Sequence, residues 1–299
     1  MTDRMRGTAE MSAAMLISGT IGWFVLISGQ PVAGVVFWRC AFGTATLLVI
    51  CGVMGLLRRN VISGRQFALS AIGGVAIVMN WLLLFSAYSR ASISIATVVY
   101  NTQPFMLVGL GTVILSERPT ATSLVWLGVA FAGMMGIVQV KSDAGDFGTD
   151  YLTGILMALG AAFFYAIASI ITKKLKGVPP YLIVLIQVSV GTVMLAPFAH
   201  LSHLPTGART WATLGTLGIV HTGLVFVLLY GAIQKLPTNL TGSLSFIYPV
   251  VAIFVDLLAF GHRLTLLQIM GAAAILLAAA GMTLGWSPFG RNAPNPVMD

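Results

Sequence analysis

Two stretches of an otherwise apolar chain carry side chains that can hold a polar ligand. "YNTQP" sets Tyr100, Asn101, Gln103 and Pro104 within five residues, and "SLSFIYP" sets Ser245, Tyr248 and Pro249 within seven. On a helix, Tyr100 and Gln103 share a face with Asn101 beside it, while Thr241, Ser245 and Tyr248 form a stripe at i, i+4, i+7. Amides and hydroxyls donate and accept hydrogen bonds without fixed charge. Each proline removes a backbone donor. The carbonyls of Tyr100 and Ser245 then lose their helical partners beside these stripes, where they can accept from a ligand ammonium. A plain packing kink is the alternative; two prolines at matching positions favour a cavity.

Asn80, Trp81, Phe164, Tyr165, Gln187 and His221 are mid-stretch polar or aromatic residues and join the candidate lining. Polar groups inside apolar spans usually face the bundle interior; His221 serves equally well as a bond to a neighbouring helix. Arg39 and Asp256 are charges inside apolar stretches, each near the same end of its own. Three arrangements are open: they pair, they hold a ligand's carboxylate and ammonium as a gate or coupling site, or they snorkel to the interface. A buried phosphate needs several cations, which one internal Arg does not provide. There is no HExxH, no GxSxG, no paired in-membrane carboxylates and no nucleotide-binding motif, so neither an enzyme nor a cofactor or metal is expected.

The elements that position these residues follow from composition. Of 299 residues, 58% are hydrophobic and 8% charged, against about a quarter charged in a soluble domain. Such a chain needs lipid as part of its solvent. With about 20 apolar residues per span, ten spans are expected: 9–27, 32–55, 67–88, 92–115, 121–140, 151–173, 180–199, 210–232, 238–260 and 265–286. The first reads as an uncleaved span, and the Pro- and Asn-rich tail 287–299 as disordered. The net charge of +8 sits mainly in short loops, which argues for topology rather than nucleic-acid binding. Alternating the loops puts eleven basic residues on the N-terminal side and four on the other, so both termini are expected in the cytoplasm. Cys40 and Cys51, eleven residues apart on one span, are roughly 16 Å apart along a helix, too far for a disulfide.

The second half echoes the first. Laying Pro104 on Pro249 puts Arg90 on Lys235, Arg118 on Arg263 and Gly136 on Gly281. "PVAGVVFWRCAFGTATLL" from Pro31 matches "PPYLIVLIQVSVGTVMLA" from Pro179, with Gly43-Thr44 on Gly191-Thr192. Five spans are an odd number, so the second copy enters the membrane upside down, as in many transporters. The expectation is an all-α integral membrane protein: ten helices in a five-plus-five inverted repeat around a central cavity, with repeats 1–146 and 147–286. Small residues at four-residue spacing, Gly128, Ala132 and Gly136 in span 5 and Gly281 and Gly285 in span 10, suit close packing between the halves or a dimer contact.

Ten spans in two halves, the paired prolines and the "SERPT" end of span 4 resemble EamA-type carriers of the drug/metabolite transporter superfamily, most closely the bacterial exporters of amino acids, especially aromatic ones. The resemblance implies a multi-pass protein of the bacterial inner membrane, a monomer or homodimer, taking amino acids as substrate. The family's acidic residue after span 4 maps to Glu117, and its second-half counterpart is His262 here. The residues themselves point the same way: an aromatic, amide-rich cavity with little fixed charge suits a zwitterion with an apolar or neutral side chain. A multidrug or general metabolite exporter is the alternative.

Overall fold

The computed structural model describes residues 2–58, 61–91, 96, 99–137, 149–199, 204–260 and 266–286. These form α1 (Asp3–Ser18), α2 (Ile21–Ser28), α3 (Val32–Val53), α4 (Gly64–Ala91), α5 (Gln103–Leu115), α6 (Ala121–Ile137), α7 (Thr149–Lys174), α8 (Pro180–Leu195), α9 (Ala208–Gly218), α10 (Val225–Lys235), α11 (Thr238–Ser245), α12 (Ile247–Phe260) and α13 (Leu266–Leu284). A π-helical turn, Ile219–Leu224, joins α9 to α10. The tail 287–299 and His262 lie outside the described residues.

Local sequence sets the helix boundaries. Gly29 and Gly177 adopt φ of +62° and +94°, a backbone that glycine enters without steric cost. Each stands two residues before a proline, Pro31 and Pro179, that starts the next helix. Pro104 and Pro249 each follow a break in the helix. Pro104 lies in the first turn of α5, and Pro249 is the third residue of α12. Just before them, Thr102 N–H donates to Val99 O at 3.1 Å and Phe246 N–H to Ser243 O at 3.2 Å. The chain tightens and breaks at these points, and each proline sits in a first helical turn, where its missing donor is tolerated.

Among the described residues, five helical stretches are long and apolar enough to cross a bilayer unbroken. Two further stretches are interrupted by breaks, α1 from α2 and α11 from α12. The outer surface is apolar, with Val113, Val193 and Leu258 at 82%, 76% and 84% exposure. Water would penalise such a belt, whereas acyl chains accept it.

Packing follows a consistent rule. α4 lies on α7 as α1 lies on α10; α4 on α8 as α3 on α9; α5 on α7 as α1 on α11. Three further pairs, α3 with α8, α5 with α11 and α6 with α13, join stretches that correspond in the two halves. The Oγ1 atoms of Thr44 and Thr192, which the sequence echo aligns, are 3.2 Å apart. Close crossings depend on absent side chains. Gly242 lies against Pro104, and Gly133 against the carbonyl of Gly271. In α6 the packed face carries Leu127, Ala130 and Met134, while Gly128 and Ala132 are exposed. Those two small residues of the stripe face outward, whereas Gly281 in α13 lies against Trp126 at the contact with α6.

Candidate functional site

A cavity of about 290 Å³ opens between the two halves. Asn80, Trp81, Tyr100, Gln103, Tyr165, Ser245, Tyr248 and Arg39 line it. Its other walls are largely apolar: Met15 from α1, Trp23 and Val25 from α2, Leu84 and Phe85 from α4, and Val225, Phe226 and Leu229 from α10. The lining runs from mid-bundle toward the end opposite the N-terminus, where Trp23, Tyr88 and Val255 stand.

α4 presents Asn80, Trp81, Leu84, Phe85 and Tyr88 on one face, the i, i+4 and i+1 positions of successive turns. Asn80 is 1% exposed. Its Nδ2 donates to Ala161 O at 2.8 Å and to the Tyr100 hydroxyl at 3.3 Å, so α4 fixes the tyrosine across the gap to α7. Tyr100 faces Tyr165 with ring centroids 6.4 Å apart. Tyr248 is hydrogen-bonded to Tyr88. Ser245 Oγ donates to Gly242 O at 2.6 Å, which leaves its lone pairs for a ligand. Interhelical bonds in membranes are worth about 0.6 kcal/mol on average, so Asn80→Ala should lower the melting midpoint of purified protein only slightly. Releasing Tyr100 should weaken ligand binding in the cavity far more. Parent-like binding in that variant would mean that Asn80 does not position the tyrosine.

Arg39 is 1% exposed, which corrects the snorkelling arrangement for this residue. Its guanidinium lies 4.4 Å from the Trp81 ring centroid and 5.9 Å from that of Phe85, contacts worth about 2 kcal/mol when desolvated. Nε donates to Thr222 Oγ1 at 3.2 Å. Asp256 falls in α12, but its side chain lies outside the described residues. Two buried polar atoms in the lining, Arg39 Nη2 and Gln103 Oε1, have no hydrogen-bond partner among the described residues.

Four sequence candidates stand elsewhere. Gln187 accepts a hydrogen bond from the Tyr230 hydroxyl and lies against Gly73 and Gly74 in the crossing of α8 with α4. His221 Nε2 shares a 2.7 Å hydrogen bond with Thr20 Oγ1, and its Nδ1 is 3.4 Å from Thr216 O. Asn101 is buried at the break before α5. Phe164 packs at the edge of the core beside Phe163. In each case the residue type is right for a lining, but the helix face is turned toward a neighbour.

The end of the bundle that holds the N-terminus is cross-linked by charge. Glu10 binds Lys235 Nζ at 2.6 Å and Arg6 Nε at 3.0 Å. Glu117 pairs with Lys173 and accepts from Thr238 N–H at 3.0 Å and Thr238 Oγ1–H at 2.6 Å. Lys173 Nζ also donates to Leu236 O at 2.7 Å. Glu117 thus holds the first turn of α11 to α7. Partial burial raises its carboxyl pKa, but the bonds from Lys173 and Thr238 outweigh it and hold the value below the ordinary 4.5.

A helical bundle with an apolar belt and an internal ligand-sized cavity is the architecture of a membrane protein that takes up a small ligand. The chain belongs to the EamA-like transporter family, whose profile matches residues 7–139 and again 152–284, and through it to the drug/metabolite transporter superfamily. The transporter YxxF of Bacillus subtilis (strain 168) is 29% identical over 95% of this chain and 91% of its own length. The threonine/homoserine exporter RhtA of Escherichia coli (strain K12) is 28% identical over 86% of this chain and 82% of its own length. A crystal structure of a protein 21% identical shares the fold, with a TM-score of 0.80 over 93% of this chain and 98% of the other.

Proposed function

We propose that the chain exports amino acids, aromatic and other apolar or neutral ones, across the bacterial inner membrane by alternating access. The observation that carries this reading is the cavity wall: aromatic and aliphatic, with hydroxyls, amides and a single cation. Such a wall suits the side chain of a zwitterion and leaves a few polar atoms for its two charges. The RhtA exporters, similar over most of the chain, are named for threonine and homoserine.

In this reading the helices form a ten-span inverted repeat, 1–146 and 147–286. The exchangeable packing pairs and the Thr44–Thr192 contact support it, because equivalent residues meet only near an axis relating the two copies. With both termini in the cytoplasm, the ion-paired end faces the cytoplasm and the cavity leads to the other side. The inward state then requires Glu10 and Glu117 to release Lys235 and Lys173.

Purified protein in liposomes tests this. Preloaded vesicles should show counterflow of labelled neutral amino acids. Flux of bulky organic cations, with none for any amino acid tested, would replace the substrate class with the multidrug alternative.

A further inference from the structure

Among the described residues that line the cavity, Arg39 alone is charged. Its described surroundings fix it and include no carboxylate. Trp81 and Phe85 lie 4.4 and 5.9 Å from its carbon. Thr222 spends its hydroxyl proton on Leu217 O at 2.8 Å, so its oxygen is free to accept from Arg39 Nε at 3.2 Å. The π-helical turn makes this possible, because it brings Thr222 and Leu217, five residues apart, into register. The backbone beneath is also held: a Cβ on Gly218 would lie 3.1 Å from the Arg39 carbonyl. No described carboxylate pairs with Arg39, and Nη2 is buried without a partner among the described residues. A desolvated cation with an unused donor calls for an anion.

We propose that Arg39 is a carboxylate anchor: the ligand's carboxylate binds at Nη2, and its ammonium is received by Oε1 of Gln103. The second half rests on the amino-acid reading above, whereas the first stands on the geometry alone. A single cation with an unpartnered donor matches a carboxylate and falls short of a phosphate, which needs several. Gln103 is 7% exposed and also unbonded at Oε1 among the described residues, so the cavity offers one donor with charge and one neutral acceptor. An amino acid carries both of the complementary charges. The aromatic stack keeps the guanidinium from rotating, so orientation of the ligand follows from the protein rather than from the ligand side chain.

The test uses full-length protein purified in detergent, with binding read by competition and by thermal shift. Probes are phenylalanine and threonine, their carboxamides, and the 2-hydroxy acids that lack the ammonium. In the parent protein, each carboxamide should bind about tenfold or more weakly than its amino acid, the loss of a charge-assisted bond. Arg39→Gln should remove the difference between acid and amide, and Arg39→Lys should restore part of it. Asp256→Asn should leave the difference in place. Because the ligand series is run on the parent protein, a variant that fails to fold does not decide the matter. A carboxamide that binds as well as its acid overturns the anchor while leaving amino-acid export standing. The same holds if the parent shows no difference and Asp256→Asn creates one, which would assign Arg39 to Asp256 instead. Arg39-dependent binding of the 2-hydroxy acids, with no binding of either amino acid, overturns the amino-acid reading and keeps the anchor. If no carboxylate-bearing probe binds and an uncharged or cationic compound is transported, both fail.

Discussion

Replacing Glu10 and Glu117 together with Gln should open the bundle at its ion-paired end. The Glu10–Lys235 and Glu117–Lys173 side chains are between 16% and 26% exposed, which places them above the weakest surface pairs, each worth about 1 kcal/mol. Glu117 also caps the first turn of α11 through Thr238, and weakening a cap costs about 1 kcal/mol. The sum, roughly 3 kcal/mol, corresponds to about a hundredfold change in an open–closed equilibrium. Removing both carboxylates spares the helices themselves, since neither residue lies in an apolar core. The measurement is the reactivity of a cysteine placed at Leu229, on the cavity wall, toward a membrane-impermeant thiol reagent applied from the N-terminal side. Cys40 and Cys51 are buried and give little background. Reactivity should rise strongly in the double variant and modestly in each single one. Unchanged reactivity would mean that apolar packing, not charge, closes that end.

The same cluster predicts a pH response. The folded pKa of Glu117 is depressed, so its stabilising contribution is present above the ordinary carboxylate value of 4.5 and is lost as pH falls through the lower folded value. Neutral and mildly acidic media therefore leave Glu117 charged. A proton gradient between pH 7 and pH 6 should not act on flux through Glu117, and a flux change in that window that Glu117→Gln removes would contradict this.

Most of the architecture was legible because it is written in local terms. Apolar length gave the helical stretches, and Gly29, Gly177 and the prolines after them mark helix starts by backbone chemistry alone. The site was legible in part. Tyr100 with Gln103, and Ser245 with Tyr248, could be placed on shared faces from helical spacing. How those faces rotate against the rest of the bundle is a tertiary property. That is why Gln187 and His221, with equally suitable side chains, turn toward Tyr230 and Thr20 instead. Leu84, Phe226 and Leu229 gave no signal, since an apolar side chain suits lipid, core and cavity alike. The partners of Arg39 were hidden for a third reason: the π-helical turn that offers Thr222 has no marker in the 3.6-residue period, although Gly218 precedes it and Gly223 lies within it. The acidic residue Glu117 was visible through family resemblance, but its work on Thr238 and Lys173 joins residues 121 and 56 positions apart.

The largest effect on stability should come from two glycines at matching crossings. A Cβ on Gly218 would lie 2.3 Å from Phe42 Cβ, 3.1 Å from Arg39 O and 3.2 Å from Gly43 N. One on Gly74 would lie 2.8 Å from Gln187 Cα, 3.0 Å from Gln187 O and 3.2 Å from Val190 Cβ. The alignment of Pro31 on Pro179 puts Arg39 on Gln187 and Phe42 on Val190, so the two crossings are the same contact made once in each half. Most of the obstructing atoms are backbone or Cβ, which cannot move aside as a side-chain end can. Overpacking of this kind costs about 1–3 kcal/mol, and the gain in helix propensity from Gly to Ala returns about 1 kcal/mol. Gly109 provides the control, being exposed with nothing within 4 Å of a new Cβ, so Gly109→Ala should be neutral or slightly stabilising. Gly218→Ala should lower the melting midpoint most, because the 2.3 Å approach is the tighter, and Gly74→Ala should follow. Gly218→Ala should also weaken carboxylate binding, since the displaced backbone is that of Arg39, whereas Gly74→Ala displaces Gln187, which lies outside the cavity. Equal melting midpoints for all three variants would show that the helices separate at these crossings at little cost, and a bundle that loose could not hold Arg39 in place.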